Sequence, residues 1–373
     1  MNHVAHSRVS LRWVNWRDRL LINPAFHRWA SRFPIFSWVT RRRTRELFDL
    51  VAGFVYSQTL YACVHFDLFR LLAGGPLEER EIARAIKLDT KATRTLLLAA
   101  ASIKLLDRRH GTRWGLAQLG AAMVANPSIA SMVLHHKALY HDMLDPVQLL
   151  EDNSHTQLRK FWSYVDSGNR GKSDAPLSAP YSRLMAESMD LIADEILDAF
   201  PLARHSTLLD VAGGEGAFAA QVLRRFEHIK VSIFDLPSVI RRARERMDLL
   251  GYSSRTEFCA GNVFNDALPT PQSLISLVRI IHDHDDAAAM AILKSVRTAL
   301  AGDGELILAE PMAETPGAEP IGHAYFGWYL HAMGSGRPRT ALELRSMLLE
   351  AGFTKIREIK TSRPILVRLL VAS

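Results

Sequence analysis

The chain has 373 residues, 48% hydrophobic and 23% charged, with a net charge of +7. That length exceeds one ordinary core and predicts two or three domains, and the composition excludes disorder over most of the chain. Only Cys63 and Cys259 are present, far apart, which excludes a disulfide framework or a cysteine zinc site and fits a reducing compartment. No uninterrupted apolar run of about 18 residues and no signal-peptide core occur, so a cytoplasmic enzyme without a transmembrane helix is expected.

The charge is concentrated at the start. Residues 1–45 hold ten arginines against a single acid, Asp18, and the rest of the chain is slightly negative. Four of the seven tryptophans, Trp13, Trp16, Trp29 and Trp38, lie in the same stretch. Arginine interleaved with tryptophan suits a membrane interface, where cations meet anionic headgroups and indole rings sit at headgroup depth. A basic arm packing on a partner subunit is the alternative. A nucleic-acid arm is a third, but a basic cluster alone carries little, and no nucleic-acid partner is expected. Pro24 and Pro34 interrupt any single helix here. The arm is assigned residues 1–43.

From Thr44 to Phe69 the pattern predicts a helix that is apolar on more than one face, hence buried in a core or at a subunit interface. Pro76–Leu88 and Thr90–Leu106 predict two shorter helices, and Asp107–Leu116 a hairpin turning at Gly111. Helix, helix and hairpin make a winged helix. Its second helix carries Arg94 and Lys104 but is otherwise rich in Leu and Ala, lacking a base-reading face, so a structural or dimerisation role is favoured over DNA binding. Pro, Ser, Asn and Gly cluster over 126–180, most densely at 167–180, which places a boundary there. The domains expected are thus the arm, a helical domain over 44–180, and a second domain over 181–373 that opens with an amphipathic helix, Tyr181–Phe200.

Beyond it, strands and helices alternate. Strands are expected at Thr207–Val211, Lys230–Phe234, Arg255–Cys259, Ser273–Ile281, Gly304–Ala309, Thr354–Lys360 and Leu366–Ala372. Repeated strand–helix units predict a parallel sheet covered on both faces. The last two strands are joined by too short a turn for a parallel crossover, so they pair antiparallel. The expected fold class is α/β, a seven-stranded Rossmann-like sheet with an antiparallel last strand, preceded by a helical winged-helix-like domain.

The stretch from Asp210 to Gly216 (DVAGGEG) follows the first of these strands. Glycines serve where backbone must approach a ligand closely, but a glycine-rich strand–helix turn alone is a weak signal. Asp210 ends the strand, Asp235 ends the next one, and Gly261-Asn262-Val263-Phe264 follows the third. A carboxylate at the second strand end accepts hydrogen bonds from ribose hydroxyls. No Lys follows the glycines, which excludes a P-loop, and the neighbouring carboxylate would repel a pyrophosphate. Each Asp alone could be a helix cap; the ordered set on three strands favours a cofactor site. Ile280-Ile281-His282-Asp283-His284-Asp285-Asp286 closes the fourth strand, on the edge where ligands of such sheets bind. A neutral His282 there could take a proton from a hydroxyl, with Glu310 at the fifth strand end fixing its tautomer. Metal binding by His282 and His284 is the weaker alternative, because neighbouring side chains on a strand point to opposite faces, and no metal is expected.

At these motifs (DVAGGEGAF, FDLPSVI, GNVF and HDHDD) the chain resembles the O-methyltransferase family that includes the plant caffeate and flavonoid and the acetylserotonin methyltransferases. The resemblance spans most of residues 45–373. It implies S-adenosylmethionine as cofactor, a homodimer, His282 as general base and Glu310 as its partner. It also implies a cofactor site built from Asp210, Gly213, Gly214, Asp235, Leu236, Asn262, Val263 and Arg279, and a substrate pocket lined by Met185, Met189, Tyr325, Trp328 and Met333. Two positions depart from the family pattern: Asn262 stands where it has an acid, and Pro338 where it has a second catalytic Glu. The arginine- and tryptophan-rich start, the helix beginning ELFDLV, GRPRT and the C-terminal RPILVRLLVAS are similar to the family's carotenoid-methylating branch in purple bacteria. That similarity implies a hydrophobic substrate with a tertiary 1-hydroxyl on an acyclic polyene, and peripheral contact of residues 1–43 with the inner, photosynthetic membrane. Methylation of oxygen or carbon on another aromatic or tetrapyrrole metabolite, or a cofactor-responsive DNA-binding regulator, are the alternatives.

Overall fold

The computed structural model describes residues 8–32, 34–161 and 178–373, giving the backbone path alone for a few of them, residues 178–187 included. They fall into two compact units, one through Ala125 and one from Asn126 to Ser373. The expected boundary at 167–180 lies mostly outside the described residues.

The first unit opens with three helices, Arg8–Ile22, Pro24–Arg32 and Pro34–His65. A proline stands first in the second and third, where its missing N–H leaves no helical bond unmade and its fixed φ suits a first turn. The expected helix beginning at Thr44 is thus the C-terminal part of a longer one. It ends at His65, with Leu68 and Phe69 buried in a separate helix, Leu68–Ala73. In the single chain Thr59 and Cys63 at its C-terminal end are buried, whereas Leu47, Phe48, Leu50, Val51 and Phe54 are exposed. Of the two expected burial modes, a core in this chain accounts only for the C-terminal end of the helix. The segment Ser37–His65 is long and apolar enough to cross a membrane by length and composition, a property it shares with helices that bury two faces against a partner. Leu77–Glu78 (β1), Leu106–Arg108 (β2) and Arg113–Leu116 (β3) form an antiparallel sheet ordered β1-β3-β2. With the helices Glu79–Ile86 and Thr90–Ser102 this is the expected winged-helix-like arrangement.

The second unit carries seven strands: Thr207–Val211 (β4), Lys230–Asp235 (β5), Thr256–Ala260 (β6), Gln272–Val278 (β7), Leu300–Glu310 (β8), Ile356–Ile359 (β9) and Arg368–Ala372 (β10). Their order is β6-β5-β4-β7-β8-β10-β9. Strand β10 lies antiparallel between β8 and β9, as expected. The order reverses at β4, with β5 on one side and β7 on the other, so the C-terminal ends of β4 and β7 form the crevice in which open α/β sheets bind ligands. Ile192, Ala193, Ile196 and Leu197, on one stripe of the helix Ser178–Ala199, are buried with Phe218, Ala219 and Val222 of the helix Ala217–Arg225. Each large aliphatic side chain so buried contributes about 1.5–3 kcal/mol. This packing fixes the glycine-rich turn that precedes Ala217.

Candidate active site

The turn from Ala212 to Gly216 joins β4 to the helix Ala217–Arg225. Asp210 is buried at the end of β4, where its Oδ1 accepts a 2.6 Å hydrogen bond from Ser276 Oγ on β7. Its Oδ2 is buried without a hydrogen bond among the described residues. A Cβ on Gly213 would stand 2.6 Å from that Oδ2, so the backbone crosses the carboxylate at a distance only glycine permits. Asp235 at the end of β5 accepts from Gly214 N at 2.8 Å and from its neighbour Leu236 N at 2.7 Å. Neither carboxylate caps a helix. Burial pushes Asp210 up to about 7, against the Ser276 hydrogen bond and helped by Asp235. It pushes Asp235 up to about 6, against the two backbone donors and Arg242. Two carboxylates held at this cost, one with an unmatched oxygen, fit a ligand bearing positive charge and do not fit a pyrophosphate.

After β6, Asn262 turns its side chain into its own loop: Oδ1 accepts from Phe264 N at 3.0 Å, and its backbone N–H donates to Asp266 Oδ2 at 2.7 Å. Val263 and Phe264 pack partly buried against the sheet core. The carboxylate that meets the backbone of this loop is that of Asp266.

The strand expected to run to Ile281 ends at Val278. Arg279 takes φ 60, its N–H donates to Ala309 O, and its guanidinium donates to Ser188 Oγ at 2.8 Å. The N–H groups of Ile280 and Ile281 then leave the ladder for Glu310 Oε1, at 3.0 and 2.7 Å, and Ile281–Asp283 forms a single 3₁₀ turn. Glu310 therefore breaks the strand as well as meeting His282, whose Nδ1 bonds its Oε2. The other ring nitrogen, Nε2, lies 3.0 Å from Asp283 Oδ1. Burial opposes the imidazolium, but the Asp283 and Glu310 carboxylates outweigh it and push His282 up to about 10. His284 points away and meets Phe264 edge-on. Among the described residues no group of three His, Cys, Asp or Glu side chains is arranged to hold a metal ion.

A π-helical stretch, Ile321–Phe326, leads into the helix Gly327–Met333; such turns often mark functional positions. Phe326 meets His282 edge-on at 5.9 Å. Tyr325 OH lies 2.6 Å from His136 Nε2, and Tyr329 OH 2.7 Å from His135 Nε2. Burial pushes both imidazoles down to about 4 and Tyr325 up to about 12, so His135, His136 and Tyr325 are uncharged near pH 7. Tyr325 and Trp328 flank the helical cluster that buries Met333, whereas Met189 packs against the core of the sheet. The side chain of Met185 lies outside the described residues. The structure thus brings Tyr325 and Trp328 into one cluster beside Phe326 and puts Met333 inside it. No local pattern signals the histidine–tyrosine pairs, because the residues of each pair are about 190 positions apart.

Residues 140–354 match the model of the O-methyltransferase domain, and 48–126 that of the O-methyltransferase dimerisation domain. The chain is 38% identical to demethylspheroidene O-methyltransferase of Cereibacter sphaeroides, over 98% of this chain and 94% of that one. It is 36% identical to the enzyme of the same name from Rhodobacter capsulatus, over 96% and 89%. Among solved structures it resembles human N-acetylserotonin methyltransferase in complex with SAM, with a TM-score of 0.71, 22% identity and 88% and 97% of the two chains covered. It also resembles a mitomycin 7-O-methyltransferase, with a TM-score of 0.72, 20% identity and 90% and 99% covered.

Proposed function

The chain belongs to the O-methyltransferase family, and from that premise we propose that it methylates the tertiary 1-hydroxyl of an acyclic carotenoid of the hydroxyneurosporene or demethylspheroidene type. Two relatives named for demethylspheroidene, matching nearly end to end, support the substrate class. The methyl donor is S-adenosylmethionine. When bound it supplies an electrophilic methyl group: the substrate oxygen bonds the methyl carbon, the carbon–sulfur bond breaks, and the hydroxyl proton passes to the chain.

The observation that carries the reading is the placement of Asp210, Asp235 and His282 at the C-terminal ends of β4, β5 and β7. The raised carboxylates under Gly213 and Gly214 suit a cationic sulfonium compound with an amino acid portion. Leu236, Asn262, Val263 and Arg279 complete the proposed cofactor site. His282 receives the proton and Glu310 holds its Nδ1. Met185, Met189, Tyr325, Trp328 and Met333 are the proposed substrate-pocket residues. A tertiary alcohol is far less acidic than a phenol, so closeness of methyl and oxygen supplies much of the rate and proton removal comes late. The dimerisation domain supports a homodimer. Its region includes the exposed Phe48, Leu50, Val51 and Phe54 of the helix Pro34–His65. Residues 1–43, with Trp13, Trp16 and Trp38 exposed, are proposed to meet the anionic face of the inner membrane in which such a substrate resides.

The test is transfer of labelled methyl from S-adenosylmethionine to 1-hydroxyneurosporene or demethylspheroidene in liposomes, with caffeate as comparison. Label in the carotenoid is expected. Label in caffeate alone would return the substrate to another branch of the family.

A further inference from the structure

His282 is enclosed by carboxylates at both ring nitrogens. Glu310 Oε2 bonds Nδ1, and the same carboxylate is anchored by two backbone N–H groups. Asp283 is held differently. Its Oδ1 stands 3.0 Å from Nε2, and that oxygen is buried and meets no other donor among the described residues. The segment Ser335–Arg339 fixes its backbone instead. Ser335 Oγ donates to Asp283 O at 3.0 Å, Arg337 N to His282 O at 3.0 Å, and Arg339 Nη1 and Nη2 to Ile281 O and His284 O at 2.7 and 2.8 Å. Gly336 approaches so closely that a Cβ there would lie 2.2 Å from His282 O. The peptide of Asp283 is immobilised while Oδ1 of its carboxylate faces the imidazole.

We propose, on the methyl-transfer reading above, that Asp283 is a positioning residue of the reaction: it occupies the Nε2 side of His282 while the site is empty and gives that nitrogen up to the incoming hydroxyl. A base must offer a lone pair, and an imidazole bonded through Nδ1–H to Glu310 has one only at Nε2. With Asp283 beside it, that nitrogen is protonated. As the hydroxyl enters, the Nε2 proton passes to the Asp283 carboxylate, and Nε2 then accepts the hydroxyl proton as the oxygen–methyl bond forms. One proton leaves the site to water after each turnover. The other charged groups nearby do not compete: Asp286 is paired with Arg337 and Arg339, the guanidinium of Arg339 faces carbonyls, and on the π-helical side the ring meets Phe326.

The experiment is nitrogen-15 NMR of the full chain labelled at histidine, without cofactor or substrate, with His282→Gln identifying the signals. Both ring nitrogens of His282 are expected to be protonated at pH 7.5 and to remain so until about pH 10. In Asp283→Asn that titration should fall by more than about one pH unit, and the acid limb of kcat/KM should move with it. A merely structural role would lower Tm and leave the titration in place. An unprotonated Nε2 at pH 7.5 in the unsubstituted chain overturns the proposal, as does an unchanged titration in Asp283→Asn or, if that variant does not fold, in Asp283→Ser. None of these results depends on substrate identity, so the proposal can fail while methyl transfer stands.

Discussion

Asp210 and Ser276, facing each other on adjacent strands, are tied by a 2.6 Å hydrogen bond that matches one carboxylate oxygen and leaves the other buried and unmatched. A cation at that oxygen favours the ionised form. Because burial pushes Asp210 and Asp235 up to about 7 and 6 without it, S-adenosylmethionine binding at the proposed site is expected to expel protons near neutrality. Its Kd should therefore fall as pH rises from about 6 to 8 and then level off. Calorimetry in two buffers of different ionisation enthalpy would detect the released proton; a pH-independent Kd with no proton release would refute the assignment. The sign for the free protein is opposite. A carboxyl raised on folding contributes stability at low pH, and that contribution is lost as pH rises towards 7.

His282→Gln should lower turnover by about two to four orders of magnitude while leaving cofactor affinity nearly unchanged. Glu310→Gln should be similarly damaging, because Nδ1 then loses its ionised partner and the ring its fixed tautomer. Stopped-assay turnover with parallel cofactor titration separates the two effects. Full activity in either variant would remove the residue from the mechanism.

Arg339 is a fully buried cation whose partner Asp286 is 60% exposed, so the ion pair itself adds little. The carbonyls of Ile281 and His284 matter more, since Arg339→Met would remove the buried guanidinium donors to both. The expected loss is about 2–3 kcal/mol, read as a lower denaturant midpoint at unchanged slope. A variant as stable as the parent would show that water replaces the guanidinium.

Deleting residues 1–40 should weaken sedimentation with anionic vesicles, and added salt should mimic the deletion, because headgroup attraction is screened. Neutral vesicles should bind poorly with or without the arm. Unchanged binding to anionic vesicles after deletion would reassign the arm to the partner subunit.

The alternation of strands and helices, the antiparallel last strand, the winged helix and the motifs at the ends of β4, β5 and β7 were all legible in the sequence. Each is written in local patterning: β-rich runs, a glycine turn beside Asp210, a connection before β10 too short for a crossover. Helix ends in the N-terminal unit were legible at Pro24 and Pro34 for the same reason. Where β7 stops was not. Ile280 and Ile281 continue an apolar run, and only Glu310, 29 residues beyond Ile281 and one strand over, draws their N–H groups out of the ladder. The carboxylate at Nε2 of His282, the pairs His136–Tyr325 and His135–Tyr329, and the role of Arg339 beneath the base likewise depend on distances between remote segments. Local sequence fixes dihedral preference and which face is apolar. Which polar groups meet inside, and hence which are charged, is decided only when the chain closes on itself.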